Sequence, residues 1–423
     1  MRHSWVLGAN EPECDFPLAN LPYGVFSTPG SAPRCGVAIG DSVVDLAALS
    51  DAGLLGAVAA DCGFEQDTIN AFMAQGRTVW DAIRADLTEL LAKDGRAALR
   101  DNARLRETAL LPLGSVSLHL PFRVGGYTDF FAGRQHAVNS GTILRGANNA
   151  LTPNWPHMPI AYNGRASSVV VSGTPVRRPL GQFLVEGEEG PHFGPSRRLD
   201  IEVEFGVVVG KPTAHGDILS VAEAHDHIFG FVLLNDWSAR DIQRWEGQPL
   251  GPFQSKASAT TISPWVVPQA ALAAFRVQSP ERDVPLLPYL HEQADYCFDI
   301  NIEAWLGTDS VEPARLVSTN TRHLYYSAPQ LLAHHSISGC RMQVGDLLGS
   351  GTISGPERPQ FGCMMEQSWG GRDPIQLDNG LERIFLEDGD SVRMTGWAQG
   401  EGYRIGFGVC DGQILPAHAW PKR

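Results

Sequence analysis

Leu199-Asp-Ile-Glu-Val-Glu-Phe-Gly-Val-Val-Val209 alternates apolar and acidic residues and then runs into three valines. Successive side chains of a strand point to opposite faces, so Leu199, Ile201, Val203 and Phe205 share one face while Asp200, Glu202 and Glu204 share the other. The pattern predicts one continuous strand with two glutamates side by side. Carboxylates at i and i+2 lie roughly 7 Å apart at Cα, close enough for both to reach one cation. At about 4 Å two like charges repel by ~4 kcal/mol at an effective dielectric of 20, so converging acids need a positive partner. An isolated Glu-x-Glu is ordinarily the solvated face of an edge strand. What surrounds it decides.

The 423 residues are 43% apolar and 19% charged, an ordinary globular balance with length enough for two domains. A net charge of -14 argues against nucleic acid or an anionic membrane as partner, and an acidic ligand would need its own basic pocket. Met1-Arg-His-Ser-Trp-Val-Leu-Gly8 has no signal-peptide core, and no uncharged apolar run of about 18 residues occurs, so the expected location is cytoplasmic. The cysteines at 14, 35, 62, 297, 340, 363 and 410 form no Cys-x-x-Cys pair and read as reduced and structural, without a zinc site.

Short strands are expected at Cys35-Gly-Val-Ala-Ile39 and Ser42-Val-Val-Asp-Leu46. Residues 51 to 107 switch to helical spacing, with Trp80, Ile83, Leu87 and Leu90 on one stripe and Thr78 and Asp81 spaced as a capping box. Leu111-Pro-Leu-Gly114 marks a break, after which the chain is mostly strand and loop. A helix from about Ser220 to Ile228 precedes an apolar strand, Phe229-Gly-Phe-Val-Leu-Leu234. The partition expected is an N-terminal domain over 1–119 and a larger β-rich domain over 120–423.

Further chemistry-bearing residues follow the acidic strand. Asp236 closes Phe231-Val-Leu-Leu-Asn-Asp236, where it is either a helix N-cap or a ligand. Arg240 and Gln243 are three apart and share a face if that turn is helical. Lys256 lies in the low-charge loop Gly251-Pro-Phe-Gln-Ser-Lys-Ala-Ser-Ala-Thr260, where a lysine is usually solvated. Upstream, Tyr127-Thr-Asp-Phe-Phe-Ala-Gly-Arg-Gln-His136 adds an acid, Asp129, and a histidine able to act as a base near neutral pH. Asp129, Glu202, Glu204 and Asp236 are four hard oxygen donors, suited to Mg²⁺ or Ca²⁺ rather than zinc.

The strings Tyr127-Thr-Asp-Phe130, Pro153-Asn-Trp155, Gly164-Arg-Ala-Ser-Ser-Val-Val-Val-Ser-Gly-Thr-Pro175, Asn235-Asp-Trp-Ser-Ala-Arg-Asp-Ile242, Gly349-Ser-Gly-Thr-Ile-Ser-Gly-Pro-Glu357 and Glu401-Gly-Tyr-Arg-Ile-Gly-Phe-Gly408 resemble the fumarylacetoacetase family (fumarylacetoacetate hydrolases), over nearly the whole chain. The resemblance implies a mainly β fold with some α: a small SH3-like N-terminal barrel and a larger mixed β-roll, assembled as a homodimer. It implies metal-dependent hydrolysis of a carbon-carbon bond in 4-fumarylacetoacetate, a small diketo acid, at the end of tyrosine breakdown.

Carried over by position, Asp129, Glu202, Glu204 and Asp236 are the expected ligands of Mg²⁺ or Ca²⁺, with Lys256 and Thr260 beside them. His136 is the expected base that activates water, oriented by Glu366 in Cys363-Met-Met-Glu-Gln-Ser-Trp369; a carboxylate on one imidazole nitrogen leaves the other free to accept a proton. Arg240, Gln243 and Lys256 are expected to stabilise charge on the departing fragment. Substrate contacts are expected at Arg145, Tyr162, Gln243 and Thr352. Two positions depart from the family pattern, since Phe131 and Gly247 stand where tyrosines are expected; the losses bear on substrate preference rather than reaction type. A related acylpyruvate or diketo-acid hydrolase of the same family is the alternative.

The glycines from Gly349 to Gly355 lack the lysine of a phosphate-binding loop. Ser167, Ser168 and Ser172 lack the Gly-x-Ser-x-Gly elbow of a nucleophilic serine. Water is therefore the expected nucleophile.

Overall fold

The apolar run Phe229–Leu234 forms the middle of the strand Ile228–Asp236 in the computed structural model of the chain, which describes residues 2–420. Every residue of that strand is buried, so each face needs cover. Its register slips between Val208, opposite Gly230, and Val209, opposite Ile228. This bulge re-aims Phe229, which joins Val232 and Leu234 toward the N-terminal elements while Phe231 and Leu233 face the other way.

Phe229 enters an aromatic cluster with Tyr23, Phe72 and Trp80, at centroid distances of 5.6, 5.7 and 5.0 Å. Burying each such ring contributes roughly 1.5–3 kcal/mol. On the opposite face Phe231 stacks on Phe205 at 4.8 Å, and Phe407 meets Phe205 edge-on at 5.6 Å. Phe407 belongs to a five-stranded sheet ordered 311–320, 301–308, 390–400, 403–415 and 176–177. The chain is therefore mainly β with some α: the two larger sheets pack over one core, and the helices between residues 46 and 109 cover the opposite face of the larger sheet over a second.

The larger sheet has 13 strands, and its order fixes the site. Ile228–Asp236 pairs with Val203–Val209, which pairs with Leu347–Gly349; then come Tyr127–Phe130 and Ala161–Asn163. On the other flank Trp265–Pro268 pairs with both Ile228–Asp236 and Tyr23–Ser27, so the N-terminal strands continue the same sheet.

Three local expectations are corrected. The stretch 199–209 is not one strand: Leu199–Asp200 pairs with Ser238–Ala239, and a second strand starts at Val203 and pairs with Ile228–Asp236. The helix carrying Trp80 runs Arg77–Leu91 from a Gly76 N-cap without a side-chain cap, so Thr78 and Asp81 form no capping box. The break at Leu111–Gly114 lies beside a sheet strand, since Leu110–Pro112 pairs with Ser42–Val44. Elsewhere the pattern holds: Ser220 and Glu223 form a capping box on the helix Val221–His227, and Arg34–Ile39 pairs with Ser42–Asp45.

Candidate active site

Adjacent strands bring the acids together. Asp129 lies opposite Gly349, Gly349 opposite Gly206, and Glu204 opposite Leu234, two residues before Asp236. Glu202 sits in the gap between strands, where its backbone N–H donates to Asn235 Oδ1 at 3.0 Å. Asp129, Glu202, Glu204 and Asp236 are all buried, and each offers an oxygen within 4.8 Å of the others. Gly349 makes this possible: a Cβ there would stand 2.8 Å from both Asp129 Oδ1 and Glu204 Oε2.

Lys256, in a loop where a lysine is usually solvated but expected beside the acids from the family resemblance, is buried at the end of the short turn Gln254–Lys256. Its Nζ donates to Glu202 Oε2 and to Asp236 Oδ2, the latter at 2.8 Å. Asp236 also accepts from Thr260 Oγ1 at 2.9 Å and from Tyr162 OH at 2.8 Å. Burial alone would raise the Glu202 carboxyl, but Lys256 and then Arg240 outweigh it and hold Glu202 below the usual carboxylate range. Burial and the neighbouring Asp236 push Asp129 well above that range, and burial with Asp129 does the same to Glu204.

Asp129 Oδ1 and Glu204 Oε1 are buried without a hydrogen-bond partner. Lys256 and Arg240 pair with Glu202 and Asp236 but leave Asp129 and Glu204 without a cation, and unpaired buried acceptors cost ~1–3 kcal/mol each. The oxygen-only donor set, its orphaned acceptors and the gap at Gly349 fit a hard divalent cation.

A cavity of about 320 Å³ opens beside this cluster, lined among others by Asp129, Phe131, His136, Glu202, Arg240 and Lys256. His136 rises from the first turn of the helix Arg134–Arg145. Its Nδ1 is 2.7 Å from Glu366 Oε2, and Phe131 meets its ring edge-on at 5.2 Å. Asn139 and Ser354 donate to Glu366 at 2.8 Å each, and Cys363 Sγ lies at 3.2 Å. His136, Cys363 and Glu366 are close enough to form a metal-like trio, but their separations are those of direct hydrogen bonds. Burial opposes the Glu366 charge, yet His136 and these donors hold its carboxyl below the ordinary value. An ionised Glu366 accepts the hydrogen of Nδ1 and leaves Nε2 as the basic nitrogen.

Arg240 Nη1 donates to Glu202 Oε1 at 2.7 Å and Gln243 Oε1 at 3.1 Å, while the buried Nη2 has no partner. Tyr162, Arg145, Gln243 and Thr352 also line the cavity, and Thr352 Oγ1 is buried without a partner. Arg145 is exposed at the rim and donates to the carbonyls of Asn149 and Ala150 at 3.1 and 2.7 Å. Gly247 departs from expectation: it caps the helix Arg240–Glu246 and is not among the lining residues, a place taken by Leu250, Gly251 and Pro252. Asp200, Asn139 and Ser354 join the site without being among the expected residues. Asp200 was visible as a third acid on the glutamate face, and Asn139 as one helical turn beyond His136; Ser354 carried no signal.

Residues 127–414 match the family described as fumarylacetoacetate (FAA) hydrolase, C-terminal, and residues 19–121 match fumarylacetoacetase, N-terminal. The chain belongs to the fumarylacetoacetate hydrolase family. It is 50% identical over 409 residues to the fumarylacetoacetase of Bos taurus, covering 96% of this chain and 97% of that one. The Homo sapiens fumarylacetoacetase is 49% identical with the same coverage, and that of Arabidopsis thaliana 47% identical, covering 95% of this chain and 96% of its own.

Among solved structures, fumarylacetoacetate hydrolase from psychrophilic Exiguobacterium antarcticum has a TM-score of 0.54 at 15% identity, over 94% of this chain and 99% of that one. A putative HpcE protein from Mycobacterium smegmatis has a TM-score of 0.53 at 19% identity, over 93% and 99%. These two share the fold. Within the family, Phe131 presents an apolar ring to the cavity in place of the expected phenol.

Proposed function

We propose that this protein hydrolyses the carbon-carbon bond of 4-fumarylacetoacetate, releasing fumarate and acetoacetate, the last step of tyrosine degradation. The observation that carries the reading is the meeting, at one cavity, of a four-carboxylate cluster with two orphaned oxygens and the His136–Glu366 pair. Family membership over nearly the full chain supports it.

Asp129, Glu202, Glu204 and Asp236 would hold Mg²⁺ or Ca²⁺, which would supply positive charge to polarise the substrate's carbonyl oxygens. His136 Nε2 removes a proton from water, which attacks the carbonyl carbon on the fumaryl side. Glu366 fixes the imidazole and stabilises it once charged. The bond to the acetoacetate carbon breaks, and its electron pair leaves as an enolate that Arg240, Gln243 and Lys256 stabilise; the proton held by His136 then completes acetoacetate. One preorganised donor of this kind is worth roughly 3–4 kcal/mol in the transition state. Arg145, Tyr162 and Thr352 bind the substrate's polar ends.

The same reading takes residues 1–119 as an SH3-like barrel and 120–423 as the catalytic β-roll, the whole a cytoplasmic homodimer; no described helix is long and apolar enough to cross a membrane. The apolar wall made by Phe131 supports one second reading, a related acylpyruvate or diketo-acid hydrolase with shifted preference. The test is loss of 4-fumarylacetoacetate ultraviolet absorbance by metal-stripped protein with and without added Mg²⁺ or Ca²⁺, alongside acylpyruvates. Metal-dependent cleavage is expected; turnover of acylpyruvates alone overturns the substrate assignment, and inactivity on all overturns the reading.

A further inference from the structure

Asp200 is fully buried and carries none of the roles assigned so far. Its carboxylate accepts four donors. Arg240 Nε reaches Oδ2 at 2.8 Å and Met365 N reaches the same oxygen at 2.9 Å. Ile201 N and Met364 N reach Oδ1 at 2.8 and 2.7 Å. Two of these donors are the first free N–H groups of the turn Met364–Gln367, whose own N-cap residue, Cys363, makes no side-chain cap. That turn carries Glu366. The other partner is the guanidinium of Arg240, a cavity-lining residue, whose Nη1 bonds Glu202 and whose buried Nη2 has no partner.

One buried carboxylate therefore joins two parts of the site, the Arg240 cation that lines the cavity and the segment that carries Glu366. The strand pair Leu199–Asp200 with Ser238–Ala239 fixes its place, and Arg240 N donates to Arg198 O at 2.9 Å beside it.

We propose that Asp200 is a positioning residue for the hydrolysis: it holds the guanidinium of cavity-lining Arg240 in register with the Glu366 turn, so that Arg240 meets the charge that develops as the carbon-carbon bond breaks. The inference rests on the function given above. A neutral amide at 200 cannot serve all four donors, because one of its two polar atoms is itself a donor. Arg240 then keeps only Glu202 and Gln243 and turns away from the substrate. Asp200 does not belong to the four-carboxylate cluster, so cation binding is spared.

The test is a double-variant cycle of Asp200→Asn with Arg240→Met, reading kcat and KM on 4-fumarylacetoacetate, Ca²⁺ affinity by titration calorimetry and folding by thermal melting. Asp200→Asn is expected to lower kcat by about 10–100-fold, the usual cost of losing a group that orients a functional side chain, with Ca²⁺ affinity within about threefold of the parent. In the Arg240→Met background the same change is expected to cost little further, since its partner is gone. A double variant nearer to Arg240→Met than to the product of the single effects supports the inference; one nearer the product overturns it, as does an Asp200→Asn variant with parental kcat. If Asp200→Asn does not fold, Asp200→Ser, smaller and still an acceptor, carries the same cycle. The parent enzyme is the control: its failure to cleave the substrate overturns the functional reading as well, whereas a working parent with multiplicative variants overturns Asp200 alone.

Discussion

Glu202→Ala removes the carboxylate that stands between both buried cations. Glu202 gives one oxygen to Arg240 at 2.7 Å and the other to Lys256, and it is one of the four converging acids. A hydrogen bond to a charged group contributes about 1.5–3 kcal/mol, so two such losses would cost roughly 3–6 kcal/mol. Neither cation is left bare: Arg240 keeps Asp200 at 2.8 Å and Lys256 keeps Asp236 at 2.8 Å. The expected loss in metal-free protein is therefore at the lower end, about 3 kcal/mol, measured by urea unfolding in a chelator. A second loss is separable from the first. A cation at 100 times its dissociation constant stabilises the folded state by about 2.7 kcal/mol, and the variant should gain almost none of this on addition of Mg²⁺ or Ca²⁺. Turnover should fall with it. A Glu202→Ala protein whose melting temperature rises with Ca²⁺ as much as the parent's would refute the metal assignment.

Phe131→Tyr restores a hydroxyl to the cavity wall; steady-state kinetics should give a KM about 10–100-fold lower, from a hydrogen bond of about 1.5–3 kcal/mol to a substrate carboxylate, with Ca²⁺ affinity unchanged. Gly349→Ala places a methyl 2.8 Å from Asp129 and Glu204 oxygens, so it should cost about 1–3 kcal/mol in melting experiments and weaken Ca²⁺ binding in calorimetry; parental affinity would show that the gap is not part of the cation site. Although burial opposes it, the charge of His136 holds Glu366 below its ordinary value. Such a carboxyl stabilises the fold fully above its unfolded value near 4.3, and the contribution is lost as pH falls through the lower folded value. Acid unfolding followed by tryptophan fluorescence should therefore steepen below about pH 4.3, and Glu366→Gln should flatten that slope.

Much of the site was legible because its chemistry is local in sequence. Glu202 and Glu204 announce themselves by strand spacing, Asp236 by ending an apolar strand, and His136 by following Asp129 within one strand-to-helix connection. What spacing could not supply was environment. Lys256 by loop composition alone reads as solvated, and only the family resemblance places it beside the acids; the convergence of Glu202 and Asp236 from two other segments repays its burial. Gly247 is expected at the substrate only from the family resemblance, but the chain leaves the helix there and Leu250 to Pro252 line the cavity instead.

The sequence by itself determined the β-rich class, the buried strand Phe229–Leu234, the helix Val221–His227 and the acid donor set, since these follow from periodicity, capping and residue type. Only the tertiary structure decided that 199–209 splits in two, that Phe229 turns toward Trp80 through a bulge, and that Asp200 joins Arg240 to the Glu366 turn. The physical reason is the same in each case. Alternation fixes which face a side chain takes within a strand, but register, bulges and partners more than 100 residues away are set by which strands pair, and that is a property of the whole sheet.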